Sequence, residues 1–162
     1  EEEVNLQIAS LVQEKLASHG YIIDLLAEYD DRLAQYKATA LISIHADTCD
    51  FISANATGFK VAADQRNAYP ENSNRLALCI ADRYAATTGL KFMPEAITDD
   101  MKYNHAFDEI STETTGAIIE TGYLNLDRQI LVDDPDLIAQ GIVNSLLCYI
   151  NNENLTNTTP VP

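Results

Sequence analysis

The chain has 162 residues, 46% hydrophobic and 22% charged, which is the composition of one globular domain large enough to bury a core. Its 25 Asp and Glu against 10 Lys and Arg give a formal net charge of −15 with no basic run, which opposes nucleic acid and anionic membrane surfaces as partners. No apolar stretch approaches the roughly 18 residues of a membrane span, and the three cysteines are too few and too scattered for a disulfide scaffold or a zinc knuckle.

In chain order, Val4, Ile8, Leu11, Val12 and Leu16 fall on one helical face, which predicts a helix over 2–18 that ends at His19 and Gly20. Residues 21–26 read as a strand, and Asp30 and Asp31 offer an N-cap for a short helix through Lys37. Residues 40–46 are an apolar run rich in Ile and Leu, the pattern of a buried strand. A polar loop over 47–57 leads to a short alternating strand over 58–63. A turn near Pro70 then opens a long helix whose apolar face includes Leu76, Cys79, Ile80 and Tyr84, ending before Gly89. Cys79 and Cys148 lie on apolar helix faces, where small buried thiols are common.

Residues 90–113 lack periodicity and contain Tyr103 and His105, the character of a functional loop. A second apolar run, 116–122, carries Glu120 near its end. Asp134 and Pro135 start a last helix with Leu137, Ile138, Ile142, Leu146 and Ile150 on one face. Residues 151–162 are polar and read as a linker or tail, leaving 1–150 as the folded domain. Asn55, Asn154 and Asn157 each begin an Asn-X-Thr triplet, a pattern short enough to arise by chance. The alternation predicts one α/β domain, a mostly parallel twisted sheet with helices on both faces.

The chemistry gathers where two strands end. In open α/β sheets ligands bind beyond the carboxyl ends of strands, and the 40–46 run ends at His45. His45 is there either as a ligand or catalytic group, or as a buried histidine satisfied by a neighbouring carbonyl. Glu120 at the end of so apolar a run is costly to bury unless something cationic compensates it, so the two residues point to one shared site. Imidazole and carboxylate are the donors of hydrolytic zinc, with a further carboxylate to move protons. Cys49, four residues past His45, is a weaker candidate as a soft ligand.

Ser43-Ile44-His45-Ala46-Asp47, followed by Gly58-Phe59-Lys60-Val61, resembles the zinc-dependent N-acetylmuramoyl-L-alanine amidases, which carry a Ser-Ile-His-Ala signature and a later Gly-Phe/Tyr-x-Val strand. Glu120-Thr121-Gly122-Tyr123-Leu124 is similar to the family's Glu-x-Gly-Phe-Leu segment, and the helix from Pro135 to its closing helix. The resemblance implies zinc-dependent hydrolysis of the amide between N-acetylmuramic acid and L-alanine, with peptidoglycan or muropeptide as partner and an extracytoplasmic location. It implies Glu120 as the catalytic carboxylate and His45 as a zinc ligand. It adds Glu1 as a second ligand, because Glu1-Glu2-Glu3-Val4-Asn5-Leu6 matches a Glu-x-x-x-Asn-Leu pattern that opens the family's first long helix. Asp47 is placed to orient a ligand, although the family often has Asn there, and His105 is a candidate for substrate contact or proton transfer.

One departure stands out. The family's first ligand is a histidine in a His-x-Gly turn after an initial strand, and this sequence matches neither. The expectation is therefore a domain whose first strand is missing, with two of its ligands in hand. The alternative is an inactive relative that binds cell-wall glycopeptide or a partner protein.

Overall fold

The computed structural model describes residues 1–156, 160 and 161, so the Asn157 triplet lies outside the described residues. Helix α1 spans Glu2–Ser18, with Glu2 and Glu3 complementing the dipole of its first turn. Strand β1, Ala40–Asp47, is followed by β2, Lys60–Ala63, and by helix α2, Pro70–Thr88. Pro70 sits in the first turn of α2, and Gly89 closes it in the left-handed conformation. The irregular segment holds two short helices, α3 (Asp99–Lys102) and α4 (His105–Glu109). Strand β3, Thr115–Tyr123, and helix α5, Pro135–Ile150, complete the domain, with the Asp134 side chain accepting from Leu137 N–H at the start of α5.

The three strands are ordered β1-β3-β2. β1 runs parallel to β3 and β2 antiparallel to it, so the expected mostly parallel sheet is a mixed one. Strand alternation divides the core in two. Ile42, Ile44, Val61 and Ile119 pack with α1, α2 and α5 through Ile8, Val12, Leu16, Leu76, Ile80, Tyr84, Ile138 and Ile142. On the other face, Leu41, Ala62 and Ile118 meet Leu33, Met101, Phe107 and Ile110 from the short helical turns. Helical segments thus cover both faces, the long ones on one side only.

Residues 21–26 do not form the predicted strand. A strand requires a hydrogen-bonded neighbour, and among the described residues this segment has none in the sheet, where β1 forms the edge. Side chains tether it instead: Gln13 Nε2 donates to Ile23 O at 2.8 Å and Arg32 Nη2 to Leu25 O at 3.0 Å, while Ile22 is 96% exposed. The helix expected through Lys37 shortens to a single 3-10 turn, Asp31–Leu33, capped by Asp30.

Cys79 and Cys148 are not separate thiols but a disulfide joining α2 to α5. The two apolar helix faces that carry them pack directly on each other, which brings the Cα atoms to 5.8 Å. Residues 151–156 lie against α2: Asp82 accepts from Thr156 N and Oγ1, and Arg83 donates to Asn154 O.

Candidate active site

The parallel register sets His45 opposite Glu120, and the antiparallel register sets Lys60 opposite Glu120 on its other side. One row across three strands therefore carries an imidazole, a carboxylate and an ammonium. The N-terminus of α1 brings Glu1 to the same place, with its Oε1 at 3.4 Å from His45 Nδ1 and Asn5 Nδ2 at 3.4 Å from the same oxygen. His45 Nε2 lies 3.0 Å from Ser43 Oγ, and Thr121 Oγ1 donates to the His45 carbonyl at 2.9 Å, so the ring and its backbone are both held.

Of these groups Glu1 and Glu120 line a cleft of about 340 Å³, together with Ala46, Asp47, Thr48, Cys49 and Leu124, and His45 stands beside it against Glu1. Asp47 follows an irregularity in the β1–β3 register. One of its oxygens accepts from Thr48 N–H at 2.7 Å, and the other accepts from the Lys60 ammonium. Lys60 is buried, and its ammonium also lies 5.3 Å from the Tyr123 ring centroid. Glu120 Oε2 is buried with no hydrogen-bond partner among the described residues. Burial pushes the Glu120 carboxyl up to about 7; Lys60 opposes this shift, while Asp47 and Glu1 add to it.

The structure thus gathers Glu1, His45, Asp47 and Glu120. It places His105 elsewhere: at the start of α4, the ring stacks on Tyr29 and its Nε2 lies 3.2 Å from Glu28 Oε1. His105 is not among the residues lining the cleft. Cys49 does line it, as an exposed free thiol.

Two residues that the sequence did not single out hold the site together. Lys60 is one. Asp127 is the other: one carboxylate oxygen accepts from Gly58 N–H and Tyr123 N–H, each at 2.9 Å, and the other from the Thr57 hydroxyl. It ties the start of β2 to the end of β3. A turn carboxylate shortly after a strand is the only sequence signal for it, and that signal is common.

A hydrolytic zinc site takes three protein donors. The donor chemistry here fits a divalent cation, because an imidazole and a carboxylate converge beside a buried, unpartnered carboxylate oxygen. The number falls short: among the described residues no group of three or more His, Cys, Asp or Glu side chains is placed to hold a metal ion.

Comparison with known proteins finds the same fold in solved structures. The fold is shared with an N-acetylmuramoyl-L-alanine amidase from Clostridium difficile 630, at TM-score 0.71 and 19% identity over 95% of this chain and 86% of that one. It is shared with the CwlD amidase of Clostridioides difficile, solved in complex with the GerS lipoprotein, at TM-score 0.70 and 17% identity over 94% and 87%. The catalytic domain of CwlV, an N-acetylmuramoyl-L-alanine amidase from Bacillus (Paenibacillus) polymyxa var. colistinus, matches at TM-score 0.66 and 22% identity over 93% and 85%. No curated protein matches the chain by sequence. The family model of N-acetylmuramoyl-L-alanine amidases matches residues 1–148, nearly the whole domain. The chain belongs to the N-acetylmuramoyl-L-alanine amidase family.

Proposed function

We propose that this domain hydrolyses the amide between N-acetylmuramic acid and L-alanine in peptidoglycan, with Glu120 as the proton-transferring carboxylate. The observation that carries the reading is Glu120 itself: a half-buried carboxyl with one buried, unpartnered oxygen, raised to about 7 and set beside His45 at the edge of a cleft in a domain of this family. A carboxyl near neutrality serves both as base and as acid. Glu120 Oε2 accepts a proton from the attacking water as its oxygen adds to the lactyl carbonyl carbon. It returns that proton to the amide nitrogen as the C–N bond breaks, leaving a free carboxylate on the sugar and a free amine on L-alanine.

Zinc would be held by His45 and Glu1 together with a donor outside the described residues, for which the family's upstream histidine is our candidate. A cation there supplies Lewis acidity, polarising the carbonyl and acidifying water. Zinc stoichiometry by elemental analysis tests this directly, on the 162-residue chain and on one extended upstream through the next strand. About one zinc per molecule in the longer chain alone supports the third donor; equal loading of both contradicts it.

We place the protein outside the cytoplasm. The support is its family and the buried Cys79–Cys148 disulfide, a bond that persists in oxidising compartments. Among the described residues no helix is long and apolar enough to cross a membrane. The two-donor count favours a second reading, an inactive relative that binds cell-wall glycopeptide or a partner protein. Binding of muropeptide without turnover in zinc-supplemented buffer, by both the chain and its upstream-extended form, distinguishes it.

A further inference from the structure

Away from the cleft, the junction of α3 and α4 carries two aromatic rings that the hydrolytic reading does not use. Tyr29 and Tyr103 are 76% and 52% exposed, and each ring is backed by a polar group that is itself held. The Tyr29 ring stacks on His105, with centroids 4.7 Å apart and planes 18° from parallel. His105 Nε2 lies 3.2 Å from Glu28 Oε1, and its Nδ1 lies 3.5 Å from Glu109 Oε1. The Arg66 guanidinium lies 5.1 Å from the Tyr103 ring centroid, pairs through Nε with Asp108 at 2.8 Å, and donates from Nη1 to Asn104 O at 3.3 Å. Asn104 joins the two units, because Tyr103 closes α3 and His105 opens α4 on either side of it.

Rings backed on one side and otherwise in water form a preset platform, so a ligand spends little side-chain entropy in meeting them. The surrounding charges narrow what it takes. Glu28, Asp108 and Glu109 repel an anion, and the guanidinium already against Tyr103 opposes a second cation there. A neutral ligand remains. One with C–H faces for the rings and hydroxyls to donate to the carboxylates is a pyranose sugar. The platform also lies on the side of the sheet that bears Glu120. Phe107 of α4 shares a core cluster with Ile118, and Glu120, two residues further along β3, is on the same face.

We propose that Tyr29 and Tyr103 form a platform that binds a neutral glycan chain. The sugar class follows from the platform itself; that the sugars are the N-acetylated ones of peptidoglycan rests on the hydrolytic reading above. Binding requires neither turnover nor a metal, so the two can be tested apart.

The test is an amide NMR titration of the isotope-labelled 162-residue chain with chitotetraose, a neutral tetramer of N-acetylglucosamine, with a chelator present. Saturable shifts are expected at Tyr29 and at Tyr103, Asn104 and His105. Tyr29→Ala and Tyr103→Ala are each expected to weaken binding about fivefold, one ring contact apiece, while Tyr29→Phe and Tyr103→Phe stay within about twofold of the parent. Both rings are exposed, so the variants are expected to fold; should one Ala variant fail to, the other decides. No saturable shift up to about 10 mM sugar, equal affinity in the parent and the Ala variants, or shifts confined to the cleft overturns the proposal. So does a response of the same residues to tetralysine and not to the sugar, which would assign the rings to a cation. Muropeptide hydrolysis by the upstream-extended chain is assayed separately. Its absence counts against the hydrolytic reading and leaves the platform standing, whereas absence of sugar binding leaves that reading standing.

Discussion

His45 and Glu120 are direct register partners across the parallel pair of β1 and β3. Parallel strands end on the same side of a sheet, so two residues at matching heights stand side by side without any loop having to bring them together. Thr121 reinforces the match by donating to the His45 carbonyl at 2.9 Å. The relative position of the imidazole and the carboxylate is therefore set by the sheet.

The raised carboxyl of Glu120 has a consequence for stability. Its folded-state pKa is about 7 against a reference of 4.5, so the folded chain holds this proton more tightly than the unfolded chain does. Below 4.5 both states are protonated and Glu120 costs nothing; as pH rises towards 7 the unfolded state ionises first, and stability is lost across that window. The loss is on the order of 2–3 kcal/mol in the metal-free chain. Glu120→Gln removes it. Urea denaturation with a chelator present is expected to show the variant equal to the parent at pH 4 and more stable at pH 8. Equal stabilities at both values contradict the burial argument.

Gly58 controls where Lys60 begins its strand. Its φ is +107°, and a Cβ there would lie 2.4 Å from the Lys91 carbonyl oxygen, which is fixed by accepting from Phe59 N–H at 2.9 Å. Neither the backbone conformation nor the space suits a side chain. Gly58→Ala is expected to cost about 3 kcal/mol in chemical denaturation. It also disturbs the Gly58 N–H bond to Asp127 and so the placement of Lys60. A loss under 1 kcal/mol would show that the turn is softer than its contacts indicate.

The Cys79–Cys148 disulfide closes a sequence separation of 69 residues, and both cysteines are fully buried. Replacing both by Ala is expected to lower stability by about 3 kcal/mol. In the folded chain a thiol reagent is expected to find Cys49 alone, whereas denaturation with reductant exposes all three cysteines. Three reactive thiols in the native state would contradict the bond.

Much of this was legible in the sequence, for identifiable reasons. The helix over 2–18 and those at Pro70 and Pro135 follow from apolar periodicity and terminal signals that are local. His45 and Glu120 stood out because ionisable groups at the ends of apolar runs need an explanation. Residues 21–26 misled because strand pattern is only half of a strand; the other half is a neighbour. Lys60 escaped notice because a lysine opening a short strand reads as solvated, and only the register reveals its burial between Asp47 and Tyr123. The disulfide depends on how α2 meets α5, and His105 on where an aperiodic segment folds; neither is encoded in local spacing.

The most direct test of the central claim is the product of incubating an N-acetylmuramoyl-L-alanyl peptide with the upstream-extended chain and its Glu120→Gln variant in zinc-supplemented buffer, followed by mass spectrometry. The account predicts a peptide with a free L-alanine amino terminus from the parent and none from the variant. Equal cleavage by both, cleavage at a different bond, or no cleavage by either would contradict it.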